Sequence, residues 1–140
     1  MRRILFASHG RFAAGMLDTL EMIVGQQAQT SALCAYTSEC PDPKPVLAKI
    51  VDGLPQGDEL VIVTDVFGGS VNTEASQYRN HSGVFVVAGA NLALAISLIV
   101  DQQTPTEELI ERSLGEAREQ MLRVQPDLVA AGSDGADEDF

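Results

Sequence analysis

The sequence predicts an α/β fold: a three-layer, doubly wound, mostly parallel sheet with helices on both faces. Three observations carry that expectation. Short apolar runs such as Ile4-Leu5-Phe6-Ala7 and Leu60-Val61-Ile62-Val63 are rich in branched side chains and uninterrupted by polar residues, as strands buried on both faces require. Segments with apolar residues at helical spacing separate them, which is the βαβ rhythm of a parallel sheet. Aromatic residues make up only 5% of a chain that is 45% hydrophobic, with no Trp, so the core must be aliphatic.

The first strand is placed over about residues 3–8. The first helix follows, with Phe12, Met16, Leu20 and Ile23 on one face and Gly25 as its stop. A second strand is expected at Ala32 to Thr37. Asp42-Pro43 reads as an N-cap followed by proline at the first helical position, and Leu47, Ile50, Val51 and Leu54 give that helix its buried side. The third strand, Leu60 to Thr64, ends at Asp65. Gly68-Gly69 make a turn and Ser70 is expected to cap a helix over about 70–79. The fourth strand is Val84 to Ala88, followed by a helix from near Asn91 to about Val100. Thr104-Pro105-Thr106-Glu107 has capping-box spacing, and Ile110, Leu114, Ala117 and Met121 share a face of the last helix.

At 140 residues the chain fits one domain, assigned to residues 1–125, with an acidic tail over 126–140 that is expected to be mobile. The formal net charge of -11 argues against nucleic acid as a partner, and Asp134, Asp137, Glu138 and Asp139 place part of it in the tail. Cys34 and Cys40 are two cysteines without ligand spacing, which fits reduced thiols rather than a disulfide framework. No metal site and no cofactor are expected. Met1-Arg2-Arg3 imitates the start of a signal peptide, but the apolar run after it breaks at Ser8-His9-Gly10. No run approaches the roughly 20 apolar residues of a membrane helix. A cytoplasmic location is expected.

The chemistry concentrates on one rim of the sheet. Ligands of open parallel sheets bind beyond the carboxyl ends of the strands, where strand order reverses. With order 2-1-3-4, His9 after the first strand and Asp65 after the third flank that reversal. A carboxylate accepting the Nδ1 proton would leave a lone pair on Nε2 and stabilise positive charge on the ring. Phe67-Gly68-Gly69-Ser70 would add backbone N–H groups and a hydroxyl for an anion, with Gly10 at the start of the first helix. The plainer reading of each element alone is a structural histidine, a turn-capping aspartate and a tight connection. Arg11 is either an aid to an anion or a solvated side chain. His81 falls in a polar loop at the opposite end of the sheet and reads as a surface residue.

Three segments together, Ile4-Leu5-Phe6-Ala7-Ser8-His9-Gly10, Thr64-Asp65-Val66-Phe67-Gly68-Gly69-Ser70 and Ala88-Gly89-Ala90-Asn91-Leu92, resemble the enzyme IIA component of the mannose-type bacterial sugar phosphotransferase system, over about residues 1 to 124. The resemblance implies a phosphotransferase in which His9 is the phosphorylated nucleophile and Asp65 its paired acid. It implies that Gly10, Gly68, Gly69 and Ser70 hold the phosphoryl group and that Phe67 meets partners. The implied donor is HPr and the acceptor a histidine of enzyme IIB, here a separate protein, with sugar uptake through the membrane components IIC and IID. It implies a homodimer in which a short C-terminal antiparallel strand, Gln120-Met121-Leu122-Arg123-Val124, pairs with the other subunit; the last helix then ends near Arg118. Phe67, Val71 and Ala93 depart from the Trp and two Pro often found in the family, which bears on partner fit more than on chemistry. Three alternatives remain at this point: the phosphotransfer subunit of dihydroxyacetone kinase, a regulatory module that senses phosphorylation, and a nucleotide- or flavin-binding domain. The last lacks Gly-x-Gly-x-x-Gly after the first strand.

Overall fold

The computed structural model describes residues 1–127. Four strands, β1 (Arg2–His9), β2 (Thr30–Ala35), β3 (Glu59–Thr64) and β4 (Val84–Ala88), form one sheet in the order β2-β1-β3-β4. Every pairing is parallel. Five helices connect or cover them: α1 (Phe12–Val24), α2 (Pro43–Asp52), α3 (Ser70–Ser76), α4 (Leu92–Val100) and α5 (Thr106–Glu119).

Alternation along each strand divides the core into two layers, because successive side chains leave a strand on opposite faces. Ile4, Phe6, Cys34, Val61, Val63 and Val87 pack with Ala13, Met16 and Leu20 of α1 and with Leu94, Leu98, Leu109 and Ile110 of α4 and α5. Leu5, Ala7, Leu33, Ala35, Leu60, Ile62 and Val84 pack with Leu47 and Val51 of α2 and Val71 and Ala75 of α3. Helices therefore cover both faces. Both cysteines are buried free thiols, and burial, then the charge of Asp42, pushes the Cys40 thiol up.

Several local expectations are met. Asp42 caps α2 by accepting the Lys44 amide at 3.1 Å, with Pro43 in the first turn. Gly25 ends α1 at φ 80°, a conformation that costs glycine little. Asn91 caps α4 through the Leu94 amide at 2.9 Å. His81 lies exposed in the loop before β4, at the sheet end away from His9.

Others are corrected. β2 starts and ends two residues earlier than expected, at Thr30 and Ala35. Ser70 is the first residue of α3 rather than its cap, which is Gly69, and α3 ends at Ser76. The capping box at Thr104 does not form; the α5 cap is Pro105, without a side-chain bond. Asp101 takes the Thr104 hydroxyl instead, at 2.7 Å, together with the Gln103 and Thr104 amides at 2.9 and 3.0 Å. Arg112, then Thr104, hold that carboxyl well below its usual range. Arg2 pins the same turn, donating to the Thr106 hydroxyl at 2.8 Å and to the Asp101 carbonyl at 3.0 Å.

The C-terminal strand is also absent from the described residues. α5 continues one residue past Arg118, and Met121–Val124 forms no ladder. An exchanged strand takes its hydrogen bonds from another copy's sheet edge, so a single chain offers it none. Most of the acidic tail lies outside the described residues.

Phe6 is fully buried at the centre of the α1/α4/α5 layer. Phe6→Ala should lower the unfolding free energy by about 3–5 kcal/mol, read as a reduced urea midpoint at unchanged slope.

Candidate functional site

Register brings the rim residues together. Ala7 of β1 lies opposite Thr64 of β3, so His9 and Asp65 leave adjacent strands within one step of each other. β1 runs two residues beyond that pairing, and His9 lies opposite Ala35 at the end of β2. The residue after Ala35, Tyr36, thereby joins the rim from the other side.

Asp65 holds His9 at two points. Its Oδ2 accepts both the His9 backbone amide and ring Nδ1–H, each at 2.8 Å, while Oδ1 accepts the Val66 amide at 2.9 Å. The Asp65 side chain is only 11% exposed against 48% for His9. Burial alone would raise its pKa, but the His9 amide and ring bonds and the Val66 amide outweigh it and hold the carboxyl below its ordinary value. A group depressed in this way is ionised above the ordinary carboxylate range. Its stabilising contribution is present there and fades only as pH falls through the folded-state value.

A carboxylate only accepts, so in the neutral ring Nδ1 carries the proton and Nε2 keeps its lone pair. Ser70 Oγ lies 3.1 Å from Nε2, and Tyr36 OH lies 2.8 Å from Ser70 Oγ. Given a bare Nε2, Ser70 donates to it and Tyr36 donates to Ser70. The His9 and Tyr36 rings are 5.4 Å apart, centre to centre, and tilted by 44°.

The glycines serve the backbone. The Gly10 amide donates to the Ala35 carbonyl at 2.9 Å and the Gly69 amide to the Val66 carbonyl at 3.1 Å. The Gly68 amide donates to Asn72 Oδ1 at 3.1 Å. All three amides expected to face an anion therefore have protein acceptors. Gly68 turns at φ 83°, and a Cβ on Gly69 would lie 3.3 Å from the Val66 carbonyl and 3.5 Å from His9 Cε1. The tight contact is with the Val66 carbonyl, so a side chain at Gly69 would press on the loop's own backbone and only touch the imidazole. The first-turn amides of Ser70 and Val71 have no backbone acceptor among the described residues, as at any helix start.

Phe67 is 85% exposed, and Phe12, Tyr36 and Val66 add exposed apolar surface on the same rim. Arg11 reaches Glu39 at 3.1 Å, with both side chains largely exposed. It is a solvated pair rather than an anion clamp.

Sequence reasoning missed three residues. Tyr36 was hidden inside an overlong second strand; ending that strand at Ala35 exposes it as a rim residue. Ser8 is buried and accepts the Ala13 amide at 2.7 Å, which fixes the start of α1 beside His9. Asn72 is buried in α3, donating to the Thr64 hydroxyl at 2.9 Å while accepting the Gly68 amide. A polar residue on the buried face of an amphipathic helix was the available signal.

Residues 3–114 match the family described as the PTS system fructose IIA component, the mannose-type IIA family. The chain belongs to that family. It is 30% identical over 105 residues to the sorbose-specific EIIA component of the sugar phosphotransferase system of Klebsiella pneumoniae, covering 74% of this chain and 77% of that one. A crystal structure named as a phosphoenolpyruvate-dependent sugar phosphotransferase system permease, also from Klebsiella pneumoniae, is 37% identical, with a TM-score of 0.82 over 87% of this chain and 90% of that one. The mannose/sorbose-specific IIA subunit of Enterococcus faecalis is 26% identical, with a TM-score of 0.74 over 91% and 98% of the two chains. This chain is thus a mannose-family IIA component, with the phosphotransferase activity general to that family. None of its described helices is long and apolar enough to cross a membrane.

In this IIA component Asn72→Ala should cost about 1–3 kcal/mol of stability, because the Gly68 amide and the Thr64 hydroxyl lose their buried partner. Chemical denaturation measures the loss. Amide exchange should quicken at Gly68.

Proposed function

We propose that this IIA component is a phosphocarrier that accepts a phosphoryl group from phospho-HPr on Nε2 of His9 and passes it to a histidine of enzyme IIB. The observation that carries the reading is the paired grip of Asp65 on His9, which leaves Nε2 as the nucleophile. Nε2 attacks phosphorus, the new P–N bond forms as the donor's P–N bond breaks, and that electron pair returns to the donor ring. Nδ1 keeps its proton throughout, so the phosphorylated ring is cationic and the Asp65 carboxylate offsets its charge. Transfer to IIB reverses the same steps.

The Ser70 hydroxyl and the Ser70 amide are the exposed donors available to the phosphoryl oxygens. Gly10, Gly68 and Gly69 shape the loops that surround the group. Phe67, with Phe12 and Val66, offers an apolar collar that a partner covers, excluding water from a labile bond. The same reading carries a cytoplasmic location, uptake through membrane IIC and IID components, and a homodimer formed through Gln120–Val124. Three of the residues in that segment, Met121, Leu122 and Val124, are apolar and exposed.

His9→Ala should abolish incorporation from phospho-HPr while leaving the circular dichroism spectrum unchanged; intact-mass analysis reading a normal mass increase in the variant would defeat the assignment. Asp65→Asn should slow transfer roughly 10- to 100-fold, since a charge-assisted hydrogen bond and the tautomer it fixes are lost. Rapid-quench kinetics at the wild-type rate would remove the carboxylate from the mechanism.

A further inference from the structure

Tyr36 is the sole non-glycine residue with positive φ among the described residues, at 64°. A bulky side chain avoids that region because its Cβ crowds the carbonyl, and where such residues persist the surroundings hold them there. A tight loop does so here. The Tyr36 amide donates to the Cys40 carbonyl at 2.8 Å, the Cys40 amide donates to the Thr37 carbonyl at 3.1 Å, and the Thr37 hydroxyl donates to the Cys34 carbonyl at 2.7 Å. Packing does not explain the arrangement, because Tyr36 remains 52% exposed. The strained backbone delivers the phenol hydroxyl to Ser70 Oγ.

We propose that Tyr36 is a positioning residue for phosphoryl transfer: its hydroxyl aims the Ser70 hydroxyl, first at Nε2 of His9 and then at an oxygen of the phosphoryl group that Nε2 takes on. This rests on the phosphocarrier reading and adds a second hydroxyl to it. Alone, a serine hydroxyl rotates freely about its Cβ–Oγ bond. With its lone pair engaged by the phenol, the Ser70 proton points toward the imidazole, and the relay Tyr36 to Ser70 to His9 strengthens each bond in turn. When Nε2 bonds phosphorus its lone pair is consumed. The Ser70 hydroxyl, keeping its proton and still accepting from Tyr36, then redirects its hydrogen bond to a phosphoryl oxygen. No proton moves between residues, and no bond other than P–N is made or broken.

The test separates this role from docking by using a small phosphoryl donor, phosphoramidate, with no partner protein. Tyr36→Phe removes one oxygen and keeps the ring and the loop. In the unphosphorylated, nitrogen-15-labelled chain the His9 Nε2 resonance should move toward that of an imidazole nitrogen with no hydrogen-bond donor, while His81 serves as an unmoved reference. Labelling of His9 by phosphoramidate should slow roughly threefold to tenfold, the range of one ordinary hydrogen bond. In a Ser70→Ala background the same substitution should have no further effect on rate, because the tyrosine acts only through that serine. An unmoved Nε2 resonance overturns the proposal. So does a wild-type labelling rate, or a loss of rate that persists without Ser70. If wild-type protein fails to label at His9 from phospho-HPr as well as from phosphoramidate, the phosphocarrier reading falls and takes this role with it. That result is recognised in the wild-type control before any Tyr36 variant is compared.

Discussion

The His9–Asp65 pair is the constraint on which the site depends. One carboxylate oxygen accepts from both the backbone and the ring of the same histidine. The backbone bond fixes where the residue leaves its strand; the ring bond fixes where the imidazole points and which nitrogen keeps its lone pair. A single ring contact would allow the imidazole to rotate with the side chain. The double grip exists because β1 and β3 are adjacent, parallel and in a register that ends them almost together. In a doubly wound sheet that adjacency arises at the reversal of strand order. Topology therefore supplies the contact that chemistry uses.

Buried polar groups hold the rim from beneath. The Thr64 hydroxyl, Asn72 and the Gly68 amide form a chain of hydrogen bonds under the loop that carries Asp65 and Phe67. On the other side of the reversal, buried Ser8 ties the residue just before His9 to the first turn of α1. Neither device touches Nε2 of His9. Each removes freedom from a loop that must present it. No described buried side-chain polar atom lacks a partner, so the network is complete rather than half-satisfied, the condition under which buried polarity rigidifies a site.

The legible parts of the sequence were those governed by periodicity and by single-residue chemistry. Leu60 to Thr64 could be read because uninterrupted branched residues have few other homes, and Asp42-Pro43 because a cap and an N-terminal proline act locally. From those the parallel sheet followed, and, on the condition that the strand order was 2-1-3-4, the meeting of His9 with Asp65; the structure meets that condition. What failed depended on competition between partners. Ser70 looked like a cap, but its hydroxyl found His9 and Tyr36 instead. Thr104 looked like one half of a capping box, but Asp101 claimed it. The Gly10, Gly68 and Gly69 amides looked free, yet each has a protein acceptor: the end of the neighbouring strand, the Asn72 side chain and the Val66 carbonyl. The end of β2 was misplaced by two residues, which concealed Tyr36, because left-handed backbone at a tyrosine has no signature in residue type.

The character of the donors around Nε2 fits the demands of a carrier. A phosphoryl group that must be handed on has to be bound about as well as its donor and acceptor bind it, since uniform tight binding would only trap it. A guanidinium clamping two phosphoryl oxygens would be such a trap, because charge-assisted, bidentate bonds are about twice as strong as neutral ones. Arg11 follows His9 by two residues and could have supplied that clamp, yet its guanidinium is turned to Glu39. The groups left facing Nε2 are neutral hydroxyls, Ser70 with Tyr36 behind it. Among the described residues the one full charge in contact with the ring is the Asp65 carboxylate, on the far nitrogen, where in the proposed cycle it would stabilise the ring cation without competing for the phosphoryl oxygens. In the proposed cycle this arrangement keeps the bound group labile, and the apolar collar of Phe67, Phe12 and Val66 leaves the choice of recipient to the protein that covers it.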